Sequence, residues 1–229
     1  MVDFTGGTWR SLVDGAEISA IPDGLVYGWL HDEGSGDTTT DSVEDLTVEF
    51  NNIDWVEDSD HVGGWSIDLN ESNEGDILAP LESNQPITAE FSFVVNSSGS
   101  RRNVINRGGS FETTTIYEIR TRTDGTIETH AGGELQDEIT VGEKHVCHVT
   151  HPGDDSGDVD YYIDGSFVLS DDVQGTVGDS DVEDTIGWGA NVDDGGPADA
   201  EVGHLFEFDS ILSDSEISDR ASQMPFINE

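Results

Sequence analysis

Hydrophobic and polar residues alternate along most of this chain with a period of two. The clearest run spans residues 87–96, where the apolar positions are Ile87, Ala89, Phe91, Phe93 and Val95. The polar positions of the same run are Thr88, Glu90, Ser92 and Asn96. Successive side chains of a β-strand point to opposite faces, so this pattern predicts a half-buried strand.

Shorter runs of the same kind recur along the whole chain. They are Leu25–Leu30, Leu46–Phe50, Trp65–Leu69, Ile116–Thr121, His145–Val149, Val159–Ile163, Phe167–Leu169 and Val202–Phe208. Turn-forming segments separate them, including Gly63-Gly64, Asp124-Gly125 and Asp164-Gly165. About a dozen short strands divided by turns predict an all-β fold, a two-sheet antiparallel jelly-roll sandwich.

One short helix is predicted near the C-terminus. Ser213 and Glu216 have the spacing of a capping box. In this motif the serine side chain bonds the third helical amide and the glutamate side chain bonds back to the serine amide. We therefore expect the helix to begin directly after Ser213.

The segment around Asp124-Gly125 predicts a hairpin whose register follows from hydrophobic parity. A two-residue turn at this dipeptide would place Ile127 on the charged face of the hairpin. A three-residue loop over residues 123–125, with its glycine in the left-handed region, returns Ile127 to the apolar face. This register sets Arg120 opposite Glu128, and we expect that pair to be exposed.

The composition is strongly acidic. The 229 residues include 50 Asp and Glu but only 8 Lys and Arg, which gives a formal net charge of −42. Disordered chains can share this imbalance, but here the aromatic residues are spread along the whole length and the acids are mixed with aliphatic residues. A compact fold with this charge needs screening, and molar salt shortens the Debye length to about 3 Å. We therefore expect a protein of a halophilic archaeon or of its virus.

The scarcity of cations also limits the partners. Eight cations cannot build a basic face, so nucleic acid is not an expected partner. Local ion pairs are expected for Arg101, Arg102, Arg107, Arg120 and Arg122. Cys147 has no second cysteine to pair with, so it is expected to be a small buried residue. No segment has the apolar length of a membrane span, and residues 1–5 do not resemble a secretory signal.

Six segments resemble, in order, the motifs of one known family. They are GLVYGWLHDEGSG at 24–36, GGWSID at 63–68, TVGEKHVCHVT at 140–150, YYIDG at 161–165, IG at 186–187 and FDSILSDSEI at 208–217. Together they resemble a LamG-like domain of the concanavalin A-like lectin and glucanase superfamily, although Lys144 stands where that family has Trp. The resemblance implies a LamG-like jelly roll over residues 21–222, an N-terminal arm over 1–20 and a C-terminal tail over 223–229.

This superfamily contains glucanases, lectins, adhesion modules and structural jelly rolls, so the fold does not define the function. Glucanases of this fold carry Glu-x-Asp-x-Glu on one strand, because retaining chemistry needs two carboxyl groups about 5 Å apart. Two Glu-x-Asp triplets occur, Glu74–Asp76 and Glu207–Asp209, and neither is followed by a glutamate within two residues. We therefore expect that the chain is not an enzyme and has no catalytic residues.

Metal binding is expected from oxygen ligands on loops. The histidines of one strand, His145, His148 and His151, cannot form a zinc site, because alternate positions face opposite sides and the outer two lie about 20 Å apart. In the pentraxin branch of the superfamily two loops hold calcium, and the matching positions here are Asn73, Glu74, Asn191 and Asp193. The resemblance thus implies a calcium or magnesium ion at these loops, with ordinary solvated loops as the alternative, and no organic cofactor.

Carbohydrate binding would need an exposed aromatic ring beside polar groups. Trp188, in the variable loop region, is the candidate ligand-binding residue. Tyr27, Trp29, Trp55 and Trp65 fit strand patterns and are expected in the core.

Together these observations predict a virion structural protein. LamG-like modules usually work outside cells, and a virus can release such a module by lysis without an export signal. We expect a non-catalytic capsid or tail decoration protein on the virion surface of a halophilic archaeal virus. It would form a homo-oligomer, contact other virion proteins and expose its module for a protein or host-surface glycan. Residues 1–20 would then be an anchoring arm, or else an extra edge strand.

Two alternatives stay open at this point. One is a secreted or cell-surface glycan-binding adhesin of a haloarchaeon. The other is an intracellular enzyme of unknown chemistry, with a glycoside hydrolase as the less favoured case.

Overall fold

The architecture comes from a computed structural model. It describes residues 9–10, 17–18, 23–50, 53–58, 60–61, 63–70, 74–97, 102–108, 115–129, 132–135, 137–173, 175–178, 185–189 and 198–224. The predicted metal-site residues Asn73, Asn191 and Asp193 lie outside these ranges, as does most of the proposed arm.

In the described residues, short strands follow one another with one helix near the C-terminus. The strands are β1 (Trp9–Arg10), β2 (Glu17–Ile18), β3 (Leu25–Trp29), β4 (Thr38–Thr40), β5 (Thr47–Glu49), β6 (Asp54–Glu57), β7 (Trp65–Leu69), β8 (Gly75–Leu78), β9 (Ile87–Ser97), β10 (Arg102–Gly108), β11 (Thr115–Thr121), β12 (Ile127–Thr129), β13 (Lys144–His151), β14 (Asp158–Ile163), β15 (Ser166–Asp172), β16 (Thr185–Trp188) and β17 (Asp199–Phe208). The helix is α1 (Asp214–Ala221).

Two antiparallel sheets form the sandwich. The larger has the order β15-β14-β13-β9-β17-β7-β6, and the smaller has the order β12-β11-β10-β16-β8. β17 pairs with β9 along one edge, while its other edge is shared by β7 at Ala200–Val202 and by β3 at Leu205–Phe208. Two small hairpins, β1-β2 and β4-β5, stand outside the two sheets. The predicted all-β sandwich is confirmed.

The inner faces of the two sheets enclose the main hydrophobic core. Phe91 of the larger sheet stacks on Tyr117 of the smaller sheet, with ring centroids 6.2 Å apart. At another point of the core Trp188 meets Trp29 edge-on at 5.2 Å and Phe50 at 6.0 Å. Edge-to-face and offset contacts are the arrangements that aromatic rings prefer, so these rings both fill the core and fix its geometry.

The alternation in β9 is confirmed, but its polar face is buried as well. The five apolar members of the run lie in the core with no exposed surface, and Thr88, Glu90 and Ser92 on the other face are equally inaccessible. Side chains from α1 and from the β6–β7 loop cover this outer face, since Arg220 bonds Glu90 and His61 bonds Ser92. The expectation of a half-buried strand is therefore wrong for Thr88, Glu90 and Ser92, whereas Asn96 is exposed.

A buried ion pair joins the two sheets through the core. Arg107 of β10 donates to Glu207 of β17 and to the carbonyl of Ala79, and Tyr117 donates to the second carboxylate oxygen of Glu207 at 2.8 Å. Neither Arg107 nor Glu207 has exposed side-chain surface. β10 was not predicted from the sequence, because this inward-facing arginine interrupts the apolar alternation of the strand.

The hairpin register follows the prediction. Arg120 lies opposite Glu128, the loop comprises residues 123–125, and Gly125 has φ of 91°. The predicted exposure is wrong, because the Arg120 and Glu128 side chains each keep only 3 % of their surface. Glu118 also contacts Arg120, so the outer face of the smaller sheet carries a buried charged cluster.

The capping box at the start of α1 is confirmed. Ser213 accepts from the Glu216 amide, and the Glu216 side chain accepts from Ser213. Ile217 and Ala221 are buried, and Ala221 packs with Val146 of β13 and with Met224. The helix therefore seals the outer face of the larger sheet. Within the described ranges, no helix is long and apolar enough to cross a membrane.

Candidate functional site

The residue predicted to bind a sugar ring is in the core. Trp188 has no exposed surface and lies between Trp29 and Phe50. Its position in β16 opposite Ile105 points it between the sheets. The assignment of Trp188 as an exposed stacking platform is therefore wrong. Tyr27 and Trp29 are buried as expected, while Trp55 is partly buried against the same core.

The first predicted metal loop ends next to the position where the second begins. Gly75, directly after Glu74, pairs with Trp188 and bridges Gly189, which comes shortly before the second loop. Glu74 itself is half-buried. Because the other three predicted ligands lie outside the described residues, the calcium or magnesium site at these loops stays a prediction.

Strand parity separates the three histidines of β13 as expected. His145 and His151 lie opposite Phe93 and Ile87 and share their inward face, whereas His148 lies opposite Glu90 on the outer face. The conclusion that these histidines cannot share one metal ion is consistent with this register. The same strand carries Cys147, which is buried and unpaired by disulfide, as predicted.

A buried carboxylate organises the outer face of the larger sheet. Glu90 lies 2.9 Å from His148 Nε2 and 3.1 Å from His204 Nε2, and it accepts hydrogen bonds from Arg220 of α1. Burial alone would raise the pKa of Glu90, but the hydrogen bonds from His148 and His204 and the charge of Arg220 hold it well below the usual value. Glu90 is thus an anion at neutral pH and fixes α1 on the sheet.

A hydrogen-bonded chain continues from Glu90 to the β6–β7 loop. His204 Nδ1 lies 2.9 Å from Ser92 Oγ, and the same oxygen lies 2.9 Å from His61 Nδ1. His61 Nε2 in turn lies 3.9 Å from Asp58 Oδ2. Asp58, His61 and Ser92 are the residue types of a hydrolase triad, but Ser92 is fully buried and cannot reach a substrate.

Burial keeps several imidazoles neutral. It lowers the pKa of His31 to about 3 and the pKa of His61 to about 4. His151 is affected in the same way, with a pKa of about 4. Each of these histidines takes up a proton more readily in the unfolded chain, so the fold loses stability as the pH falls below about 6.5.

Acidification from pH 7 to 5.5 is therefore expected to destabilise the protein. Each neutral buried histidine contributes a loss of about 1.4 kcal/mol per pH unit below its unfolded pKa. Urea unfolding in concentrated KCl would measure the slope, and His31→Asn should reduce it, since Asn tolerates the left-handed backbone of residue 31 (φ 52°). Burial raises the pKa values of Glu33 and Asp41, which act in the opposite direction at lower pH. A free energy of unfolding that is flat over this interval would contradict the prediction.

A groove of about 440 Å³ opens beside the ends of β8 and β17. Its apolar surface comes from Val26, Pro80 and Leu81, and its polar groups are Tyr27, Glu44, Glu82, Gln85 and Asp209. The tyrosine is held in place because its hydroxyl donates to the Pro80 carbonyl at 2.6 Å. Gln85 accepts from the Glu82 amide at 2.9 Å, which orients its amide group. The groove is therefore lined by apolar and acidic side chains, and hydrogen bonds hold Tyr27 and Gln85 in place.

The sequence analysis did not identify this groove. Its residues come from four segments that are far apart in the chain, and no local motif marks them. The positions that could have drawn attention are Pro80 and Leu81, an apolar pair just after a strand and next to polar loop residues.

No protein-family model matches the sequence, and no curated protein matches it. Solved structures do match in fold. A Trypanosoma rangeli sialidase in complex with 2,3-difluorosialic acid, a covalent intermediate, has a TM-score of 0.68 and 13 % identity over 95 % of this chain and 36 % of its own. A mutant of this sialidase that displays trans-sialidase activity has a TM-score of 0.68 and 14 % identity, and the match covers 95 % of this chain and 36 % of the sialidase chain. The receptor binding domain of botulinum neurotoxin C/D mosaic serotype has a TM-score of 0.60 and 12 % identity, and the match covers 88 % of this chain and 52 % of the toxin chain.

These similarities concern the fold. The chain spans about a third of the sialidase chains and about half of the toxin domain. The expectation that the chain is not an enzyme is nevertheless wrong as an exclusion, because a similar fold occurs in the chain of a sialidase. The absence of the Glu-x-Asp-x-Glu motif argues only against the retaining glucanase mechanism. A sequence identity of 13 % with a sialidase does not assign a reaction to this chain.

Proposed function

We propose that this protein is a LamG-like glycan-binding module that works in concentrated salt and binds its ligand in the groove beside β8 and β17. The observation that carries the proposal is the composition of the groove, which is lined by apolar side chains together with carboxylates and an amide. Sugar hydroxyls donate hydrogen bonds to carboxylates, while the C–H face of a sugar ring packs on apolar surface.

The same groups restrict the class of glycan. Glu44, Glu82 and Asp209 surround the groove with negative charge. An acidic sugar in the groove would be repelled at close range by these carboxylates, so the favoured ligand is a neutral or cationic glycan.

The fold comparisons support a binding role without assigning a ligand. The toxin domain is a receptor binding domain by its own description, and the sialidase structure contains a sialic acid derivative. Neither protein is closely related to this chain in sequence. They support the use of this sandwich in molecular recognition, and the groove supplies the chemistry.

The setting that we propose is the virion surface of a halophilic archaeal virus, where the chain would form homo-oligomers and contact other virion proteins. The acidic composition and the type of module support this setting. Mass spectrometry of purified particles tests it, because a structural component is recovered in stoichiometric amount. Its absence from particles would favour the cell-surface adhesin.

Glycan binding in about 3 M KCl, where long-range charge effects are screened, tests the assigned groove. Neutral glycans should be retained in preference to sialylated ones. Glu44→Gln and Glu82→Gln should each weaken binding about tenfold, which is the value of one charge-assisted hydrogen bond at a partly solvated site.

Glu57→Gln is the matched control. Glu57 is exposed on β6 and does not line the groove, so its replacement should leave the affinity unchanged. Equal weakening by all three variants, or a preference for sialylated glycans, would contradict the proposal.

A further inference from the structure

A second cluster of side chains lies on the outer face of the larger sheet and uses none of the groove residues. Asp58 and His61 come from the β6–β7 loop, and Glu201 comes from β17. One ligand atom from each residue lies within 4.8 Å of the others. These residues are far apart in sequence, and the fold brings them together.

His61 is held rigidly in this cluster. Its ring packs against the backbone at Gly203, where any side chain would collide with the imidazole. Its Nδ1 is bonded to Ser92 Oγ, and the residue as a whole retains 3 % of its surface. A side chain fixed in this way loses little entropy on binding a ligand.

A hydrogen-bonded chain links His61 to Glu90. His204 Nε2 lies 3.1 Å from Glu90 and its Nδ1 lies 2.9 Å from Ser92 Oγ, and the same oxygen lies 2.9 Å from His61 Nδ1. When His61 Nδ1 donates to Ser92 Oγ, its lone pair lies on Nε2, the atom 3.9 Å from Asp58 Oδ2. An imidazole with one nitrogen held by a hydrogen bond and the other facing carboxylates has the arrangement of a metal-binding histidine.

We propose that Asp58, His61 and Glu201 bind a divalent transition metal ion, with zinc as the representative case. One nitrogen and two carboxylates suit this class, whereas calcium and magnesium prefer oxygen ligands alone. Tetrahedral zinc ligands lie on the order of 3.3 Å apart, so small side-chain movements would close the present spacing. Lys144 bonds the other oxygen of Asp58 at 2.7 Å and leaves Oδ2 for the ion.

Two further carboxylates lie beside this cluster. Asp68 lies directly opposite Glu201 on the neighbouring strand, and Asp54 lies opposite Asp68. Like charges in directly opposite positions repel. A bound ion would reduce this repulsion and would tie the β6–β7 loop to β17.

Titration of the metal-free protein with ZnCl₂ and with CoCl₂ in about 3 M KCl tests the proposal, because salt screens unspecific attraction to surface acids. We expect one equivalent to bind, the melting temperature to rise, and cobalt to give the absorption of a nitrogen-containing site. His61→Gln and Glu201→Gln should weaken binding at least a hundredfold, and Ser92→Ala about 10- to 100-fold, as for other groups that orient a ligand.

Asp60→Asn is the control for general electrostatics. Asp60 contacts Lys144 at the same surface but does not belong to the ligand set, so this variant should bind zinc normally. Several weak equivalents, or equal losses in Asp60→Asn and Glu201→Gln, would overturn the proposal. Glu201 lies on a partly exposed strand face, so this variant should fold even if His61→Gln does not.

Discussion

Transfer from about 3 M to 0.05 M KCl is expected to unfold this protein at room temperature, because the Debye length then exceeds about 10 Å and surface carboxylates repel one another. The structure sharpens this expectation. Five of the eight cations already form ion pairs within the described residues. They are Arg107, Arg120, Arg122, Lys144 and Arg220. Few cations are left to balance the surface, so dissolved salt must screen it.

Circular dichroism melts over a series of KCl concentrations measure this effect. Sucrose separates the causes, since it favours compact states by exclusion from the protein surface but screens no charge. We expect sucrose to leave the low-salt protein unfolded. A melting curve that is unchanged down to about 0.05 M KCl would refute the assignment of a salt-requiring protein.

Arg107→Met is expected to destabilise the fold by about 3 to 5 kcal/mol, because removal of one member of a buried ion pair strands the other charge. Glu207 has no exposed surface and would retain only the bond from Tyr117 among the bonds described here. Urea unfolding in concentrated KCl provides the free energy. The double variant Arg107→Met with Glu207→Leu should recover much of the loss, since a buried pair replaced by apolar residues of similar volume is often neutral.

Arg122→Met is the matched control for this measurement. The Arg122 side chain is 43 % exposed, and its partner Glu128 also contacts Arg120. We expect a change below about 1 kcal/mol, as for other exposed pairs. Equal losses of unfolding free energy in the Arg107 and Arg122 variants would contradict the prediction, because burial of the ion pair would then make no difference.

Much of the fold followed from local sequence rules. The period-two run at residues 87–96, the capping box at Ser213 and the hairpin register at Gly125 each depend on neighbouring residues, and the structure has all three. Strand parity also predicts the burial of Trp188, because Trp188 lies on the same face of β16 as Ile186. The variable loop after Trp188 favoured exposure, but Trp188 belongs to the strand, and the strand sets its direction.

The candidate sites depend on long-range contacts, which no local pattern specifies. Glu201 meets the β6–β7 loop only because β7 pairs with β17. Burial of Glu90 could not be inferred from alternation, because a polar position in a strand is ordinarily solvated and here α1 covers it. The groove depends in the same way on loops from both sheets.

The place of β17 has a consequence for how the chain is made. This strand follows all the other described strands in sequence, yet it lies between β9 on one side and β3 and β7 on the other. While the ribosome is still adding the preceding segments, β3 and β7 have no partner on that edge, and the larger sheet exists in two parts. Unpaired strand edges in an incomplete chain are prone to aggregation. The larger sheet is therefore completed only when the last strand joins the two parts.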